Sequence, residues 1–452
     1  MVKRLRQGVA PLYLFLCLLM GGSAQGPFAN LFLQLVGLAI IVWASIAPAE
    51  EPQVKPARQL LWLAVFALAL VLLQLIPLPA GVWADLGGRK ELADGYALLG
   101  LATPAMPLSL TPYRSLDSLL GIIPPLAMVV AIVRLKASRG SWLAAALIAG
   151  TIAGVLLGAL QVGTVDADSA PWYLYPQTNI GSAVGFFANA NHMAILLVVT
   201  LPFLAALVAA AKRSEIQHLS ALIALVVGAG LVILVGVLLN RSLAAYALVL
   251  PVVVASALII IPMRSRVRPV LMIVALLLLA GGVGLIANNS TNSGSLGVST
   301  SVQSRDAMFR TTVRAMGDFM PFGSGLGSFP KVYDLYEDAR TVTNTYVVHA
   351  HNDYAELALE LGLPGIVLIL LGLGWWGASS WRVWRSAESA PFARAASIAS
   401  GAILAHSLVD FPLRTAAISA VFAFCLALLA DRRAPPPVDP TDIRPTRHVE
   451  YR

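Results

Sequence analysis

The residues able to do chemistry gather at a few points of an otherwise apolar chain. The run His349-Ala350-His351-Asn352-Asp353-Tyr354 continues into Glu356 and Glu360. Imidazoles beside carboxylates at a membrane surface suit binding of a proton or a metal, and they suit equally the capping of an interfacial helix. Both readings stay open on these residues alone. Phe187-Ala188-Asn189-Ala190-Asn191-His192 sets two amides and an imidazole at the lip of an apolar stretch. His406 and Asp410 lie four apart, hence on one helical face, where structural pairing is the favoured expectation. Asn240-Arg241 closes another apolar stretch, and an arginine there is either an interfacial anchor or a ligand contact.

A second group lies just upstream. Between Ser304 and Met316 the sequence has a helical register in which Met308, Phe309, Thr312 and Met316 form an apolar stripe, while Arg310 and Arg314 share a face. The expectation is a helix lying against a bundle. Asn288 to Ser301, rich in Ser, Thr, Asn and Gly, reads as a flexible lead. After the helix comes Pro321-Phe322-Gly323-Ser324-Gly325-Leu326-Gly327-Ser328-Phe329, whose backbone is able to approach a ligand closely or to form an amide nest for an anion.

What positions these groups follows from composition. Of 452 residues 58% are hydrophobic and 12% charged, and the mean hydropathy is +0.79, which no water-soluble fold can hide. Apolar stretches of membrane-crossing length occur near 8–23, 30–48, 59–78, 116–133, 141–162, 190–211, 219–239, 242–262, 269–287, 361–381, 395–410 and 413–430. The expected fold class is therefore an all-α polytopic membrane protein of about 12 transmembrane helices. Residues 1–287 carry nine spans and a secondary outer loop near 79–115, and 288–360 form a large outer loop. Three spans follow over 361–430, and 431–452 make a cytoplasmic tail that reads as disordered.

Basic residues flanking short loops stay on the cytoplasmic side. With Lys3, Arg4 and Arg6 inside, alternation puts 21 of the 31 basic and 8 of the 23 acidic residues inside, a charge of +13 there against −5 outside. The net charge of +8 therefore reads as topology and not as nucleic-acid binding. Lys3 to Arg6, a short apolar run and Ser23-Ala24-Gln25 imitate a signal peptide, and a retained first helix is the expectation. Cys17 and Cys425 fall in apolar runs at opposite ends of the chain, which suggests neither a disulfide framework nor a thiolate metal site. P-loop, His-Glu-x-x-His and Cys-x-x-Cys patterns are absent, so ATP-driven transport and zinc hydrolysis lack their usual residues.

Over roughly residues 180 to 430 the chain resembles the O-antigen ligase and polymerase superfamily of bacterial surface-polysaccharide enzymes. Arg305 with Phe309, where a Trp is commoner, carries the resemblance, as do Pro321, the three glycines, Phe329, His351-Asn352, Tyr354, Glu360, Gly362 and Gly365. Phe187-x-Asn189-x-Asn191-His192 and His406-Ser407-x-x-Asp410-Phe411 look like the variant seen in exopolysaccharide polymerases. Asn240-Arg241-Ser242 departs from the more usual Ser-Arg-Gly-like stretch.

The resemblance implies a GT-C-like bundle in the bacterial inner membrane, with both termini cytoplasmic, that takes a glycan from undecaprenyl diphosphate at the periplasmic face. The acceptor is either a lipid-linked repeat, in a polymerase, or lipid A core, in a ligase. His351 is then the expected base or acceptor orienter, and Arg241 and Arg305 the expected diphosphate clamps. Arg314, Asn352, Tyr354, Asn189, Asn191, His192, His406 and Asp410 are expected to contact substrate. No metal and no cofactor is expected. The partners expected are the donor glycan, the acceptor glycan, membrane lipid and other polysaccharide-assembly proteins, with no nucleic acid. The rival of another class is a lipid-linked glycan transporter, which should hold its ionisable residues near the midplane. Here they sit at span ends.

Overall fold

A computed structural model describes residues 2–48, 52–137, 140–164, 171–215, 218–262, 264–288, 298–338, 346–386 and 390–431. The chain is mostly helical, as its apolar runs require: in a bilayer every backbone group must be satisfied within its own segment. In chain order the helices are α1 (Val2–Met20), α2 (Pro27–Ile46), α3 (Lys55–Gln74), α4 (Ala80–Ala84), α5 (Lys90–Leu98), α6 (Pro112–Gly121) and α7 (Ile123–Val133). Next come α8 (Gly140–Gly163), α9 (Ala190–Arg213), α10 (Leu219–Asn240), α11 (Leu243–Ile260), α12 (Val267–Asn288), α13 (Val298–Phe319) and α14 (Phe329–Tyr336). The last three are α15 (Asp353–Arg385), α16 (Pro391–His406) and α17 (Ala416–Ala430).

Among the described residues eight helices are long and apolar enough to cross a membrane: α2, α3, α6 with α7, α8, α9, α10, α11 and α15. The other four apolar stretches fall on α1, α12, α16 and α17. α9 is the hub of the bundle. Leu196, Leu197, Val198, Val199 and Phe203 on successive faces of it are all buried, and it packs on α8, α10, α11 and α16. A helix apolar all round is one enclosed by neighbours.

The two long connections pack on each other. The first holds a two-stranded antiparallel ladder, β1 (Pro77–Leu78) against β2 (Met106–Pro107), with Pro77 opposite Pro107. Arg89, fully buried in this segment, donates to the carbonyls of Gly87, Leu108 and Gly323. Burial lowers its guanidinium to about 10. Gln74, at the end of α3, donates to the Glu360 carbonyl and accepts from the Leu326 amide.

The expected loop helix exists as α13, and it lies against the body of the protein through Met308, Thr312, Ala315, Met316 and Phe319, packed on Phe329, Val332, Ala350 and Leu359. Phe309 is not in the stripe, because the face in contact follows positions 308, 312, 315, 316 and 319 and leaves Phe309 41% exposed. At the two ends of the expected flexible lead the chain is helical, since Asn288 ends α12 and Val298 already begins α13. Residues 289–297 lie outside the described residues, as does the expected tail beyond Asp431.

Candidate functional site

Three backbone devices bring the polar groups to one end of the bundle. Asn352 caps α15, its Oδ1 accepting from the Ala355 amide at 2.9 Å, while its Nδ2 donates to the Leu408 carbonyl. The Asp353 amide donates to the Ser407 carbonyl at 3.0 Å, and Ser407 Oγ donates back to Asp353 Oδ2 at 2.8 Å. These bonds tie the start of α15 to the turn after α16. Asn189 caps α9 by accepting from the Asn191 amide, and Asn191 Oδ1 accepts from Ser242 Oγ at 2.8 Å. That bond holds the residue after Arg241 beside the tip of α9.

At the meeting point stands Phe411. Its ring centroid is 5.1 Å from that of His192, 4.3 Å from His349 and 4.9 Å from His351. Asp410, buried to 1%, reaches two of the imidazoles: Oδ1 is 3.4 Å from His351 Nδ1 and Oδ2 is 3.7 Å from His406 Nε2. Burial alone would raise the Asp410 carboxyl, but contacts from His351 and His406 outweigh it and hold it well below the usual carboxylate range. Four of the chain's six histidines thus surround one aromatic ring and one carboxylate.

Beside this group lies a second, built on Arg414. Its guanidinium is 3.1 Å from Glu356 Oε1, 3.1 Å from Glu360 Oε2 and 3.8 Å from Asp353 Oδ1. Burial would lower it, yet the three carboxylates together push it up, so it is charged at any working pH. Glu356 also takes His349 Nδ1 and the Ala350 amide, both at 2.8 Å. Glu360 takes the amides of Gly327 and Phe329 on its other oxygen. The amide nest of the glycine-rich turn is therefore filled by the protein's own carboxylate. The glycines serve a close approach: Gly323 and Gly362 both have positive φ, and a side-chain carbon on either would meet the backbone of the other's segment.

Arg241 and His351 share a feature. With Lys136 and Glu215 they are the described non-glycine residues of positive φ, at 59° and 52°. Arg241 follows α10 with its side chain exposed, and His351 precedes the α15 cap with its side chain 24% exposed. Arg305, half-buried, and Arg314, exposed, lie on α13, where Arg310 pairs with Asp306. No hydrogen bond or ion pair among the described residues joins Arg241, Arg305 or Arg314 to the histidine group. Tyr354 turns the other way, donating to the Leu404 carbonyl. It lines, with Asp353 and Ser407, a cavity of ≈ 440 Å³ whose remaining wall is nearly all apolar, including Leu60, Leu126, Trp376 and Phe422. Among the described residues no three His, Cys, Asp or Glu side chains are arranged to hold a metal ion.

Sequence reasoning passed over Phe411, Arg414 and the structural use of Glu356 and Glu360. The signal available was spacing: Asp353, Glu356 and Glu360 stand at i, i+3 and i+7, one helical face that demands a buried cation.

Such an arrangement, a helical membrane protein with an imidazole–carboxylate group at its bundle end, defines a class but no reaction. Residues 228–370, from within α10 to within α15, match the family model described as O-antigen ligase, and this match supports the O-antigen ligase and polymerase superfamily. The matched stretch, about a third of the chain, contains Arg241, Arg305, Arg314, His351, Asn352 and Tyr354. No curated protein matches the chain.

Proposed function

We propose that the protein transfers a glycan from an undecaprenyl-diphosphate donor to an acceptor hydroxyl at the periplasmic face of the inner membrane, as a polymerase of surface-polysaccharide repeat units. The observation that carries this reading is His351: it falls within the O-antigen ligase match, holds a left-handed backbone, and keeps its buried Nδ1 beside a buried carboxylate with part of its ring exposed. Left-handed non-glycine residues cost of order 1 to 3 kcal/mol and persist at functional sites.

In this reading about 12 helices form a GT-C-like bundle, with residues 288–360 outside and both termini inside. The opposite end supports the orientation, for Arg268 and Arg394 there lie against Trp384 within 5.5 Å and are buried by the bundle. The chemistry in this reading is metal-independent. The acceptor hydroxyl attacks the anomeric carbon while His351 takes its proton. The bond from that carbon to the diphosphate oxygen breaks, and undecaprenyl diphosphate leaves with the electron pair. Arg241 and Arg305 stabilise the charge on that oxygen, and Arg314 contacts the substrate elsewhere. Asn189, Asn191 and His192 border the acceptor side.

Attachment to lipid A core is the alternative acceptor, and translocation of the lipid-linked glycan is the alternative class. Purified protein in lipid nanodiscs given a native undecaprenyl-diphosphate glycan separates them. Lengthening on the lipid supports the polymerase. Glycan appearing on added lipid A core makes the protein a ligase, and passage across a liposome bilayer without either product makes it a transporter.

A further inference from the structure

We propose that Asp410 is a positioning residue for His351, fixing the imidazole in the tautomer with hydrogen on Nδ1 so that Nε2 offers its lone pair. The inference rests on the transfer reading only for what that lone pair attacks. The geometry stands on its own.

Asp410 is held from two directions. The Phe411 amide donates to its Oδ1 at 2.9 Å, and the turn that carries it is bound to α15 through Ser407 with Asp353 and through Asn352 with Leu408. The polar side chains nearest its carboxylate are two imidazoles, His351 at 3.4 Å and His406 at 3.7 Å. Buried His351 Nδ1, both nitrogens of His406 and Asp410 Oδ2 have no closed hydrogen bond, and a buried polar atom left in that state costs about 1 to 3 kcal/mol. A catalytic hydrogen bond is often long before substrate arrives and tightens in the complex. A carboxylate 3.4 Å from Nδ1 favours the hydrogen on that nitrogen, since two acceptors repel.

The other carboxylates around His351 are already engaged. His349 and Arg414 are bound to Glu356, and Arg414 also to Asp353 and Glu360. His192, from α9, meets the Phe411 ring edge to face at 5.1 Å. His406, from α16, shares Asp410. Asp410 is thus the carboxylate left to His351, and once His351 has accepted a proton, its charge is balanced there.

The test has two arms. In the transfer assay Asp410→Asn should lower kcat by about 100-fold or more while KM for the lipid-linked donor stays within about twofold. The acidic limb of its kcat/KM profile should move to lower pH, because loss of the carboxylate destabilises the imidazolium. Asp410→Glu should recover part of the rate. A folded Asp410→Asn protein with wild-type kcat and an unmoved limb overturns the proposal.

The second arm needs neither activity nor a folded Asp410 variant: ¹⁵N-imidazole spectra of the wild-type protein, with His351 assigned by comparison with His351→Gln. Hydrogen on Nδ1 is the expected result, and hydrogen on Nε2 overturns the proposal. If transfer itself fails, this arm still decides the inference.

Discussion

Arg414 holds three carboxylates that would otherwise face one another across a few ångströms. Removing one partner of a buried ion pair costs about 3 to 5 kcal/mol because the charge left behind is uncompensated. Arg414→Gln should therefore lower the thermal midpoint in detergent by several degrees. Arg414→Lys should rescue it only in part, since an ammonium cannot fork between Glu356 and Glu360. Equal midpoints for Arg414→Gln and wild type would contradict this account. Asp410 makes a claim about pH. Its carboxyl is depressed in the folded state, so its contribution to stability is present above the ordinary carboxylate pKa of about 4 and is lost as pH falls below it toward the folded value. Asp410→Asn should flatten the acid side of the midpoint-against-pH curve. A curve as steep as wild type would assign that loss to the Arg414 group instead.

At the scale of elements, the glycine-rich turn and the kink in α15 at Gly362, where φ is +64° and ψ −148°, form one unit. Gly323 and Gly362 touch backbone to backbone, and Glu360 accepts two amides of the turn while its own carbonyl accepts from Gln74. Gly362→Ala adds a carbon where φ is +64° and the Pro321 carbonyl already stands. It should cost more than the roughly 1 kcal/mol of an ordinary glycine replacement, with protease cutting of the 321–329 turn as the readout. Cutting no faster than in wild type would mean that the turn does not depend on the kink.

Much at this scale was legible. The apolar runs become helices, and Asn352 caps a helix as one reading of its run allowed. Less legible was what needs a partner distant in sequence. The glycines looked open to an anion until Glu360, 33 residues from Gly327, filled the nest. Phe309 looked like part of a stripe because periodicity reads one helix and not the surface it meets. The packing of the 79–115 segment on this turn through Arg89 left no local signal, since a buried arginine bound to carbonyls looks in sequence like any surface arginine.

For the whole molecule, hydropathy read twelve apolar stretches where, among the described residues, eight helices meet the length and apolarity of a span. The others pack against neighbours, as α17 packs on α7 and α16. In the topology proposed from charge alternation the histidine end lies outside and the Arg268 and Arg394 end inside. Cysteines introduced singly at Phe322 and Arg385, both exposed, should be labelled by an impermeant reagent only from outside and only from inside respectively. The reverse pattern would invert the topology and remove the periplasmic reading.

The central claim is that His351 accepts the proton of the attacking hydroxyl. The most direct measurement is single-turnover glycan transfer by purified His351→Ala, alongside donor binding by the same preparation. Binding within a few-fold of wild type, with transfer reduced by 10²-fold or more, is the predicted result. Transfer at the wild-type rate would take His351 out of the reaction.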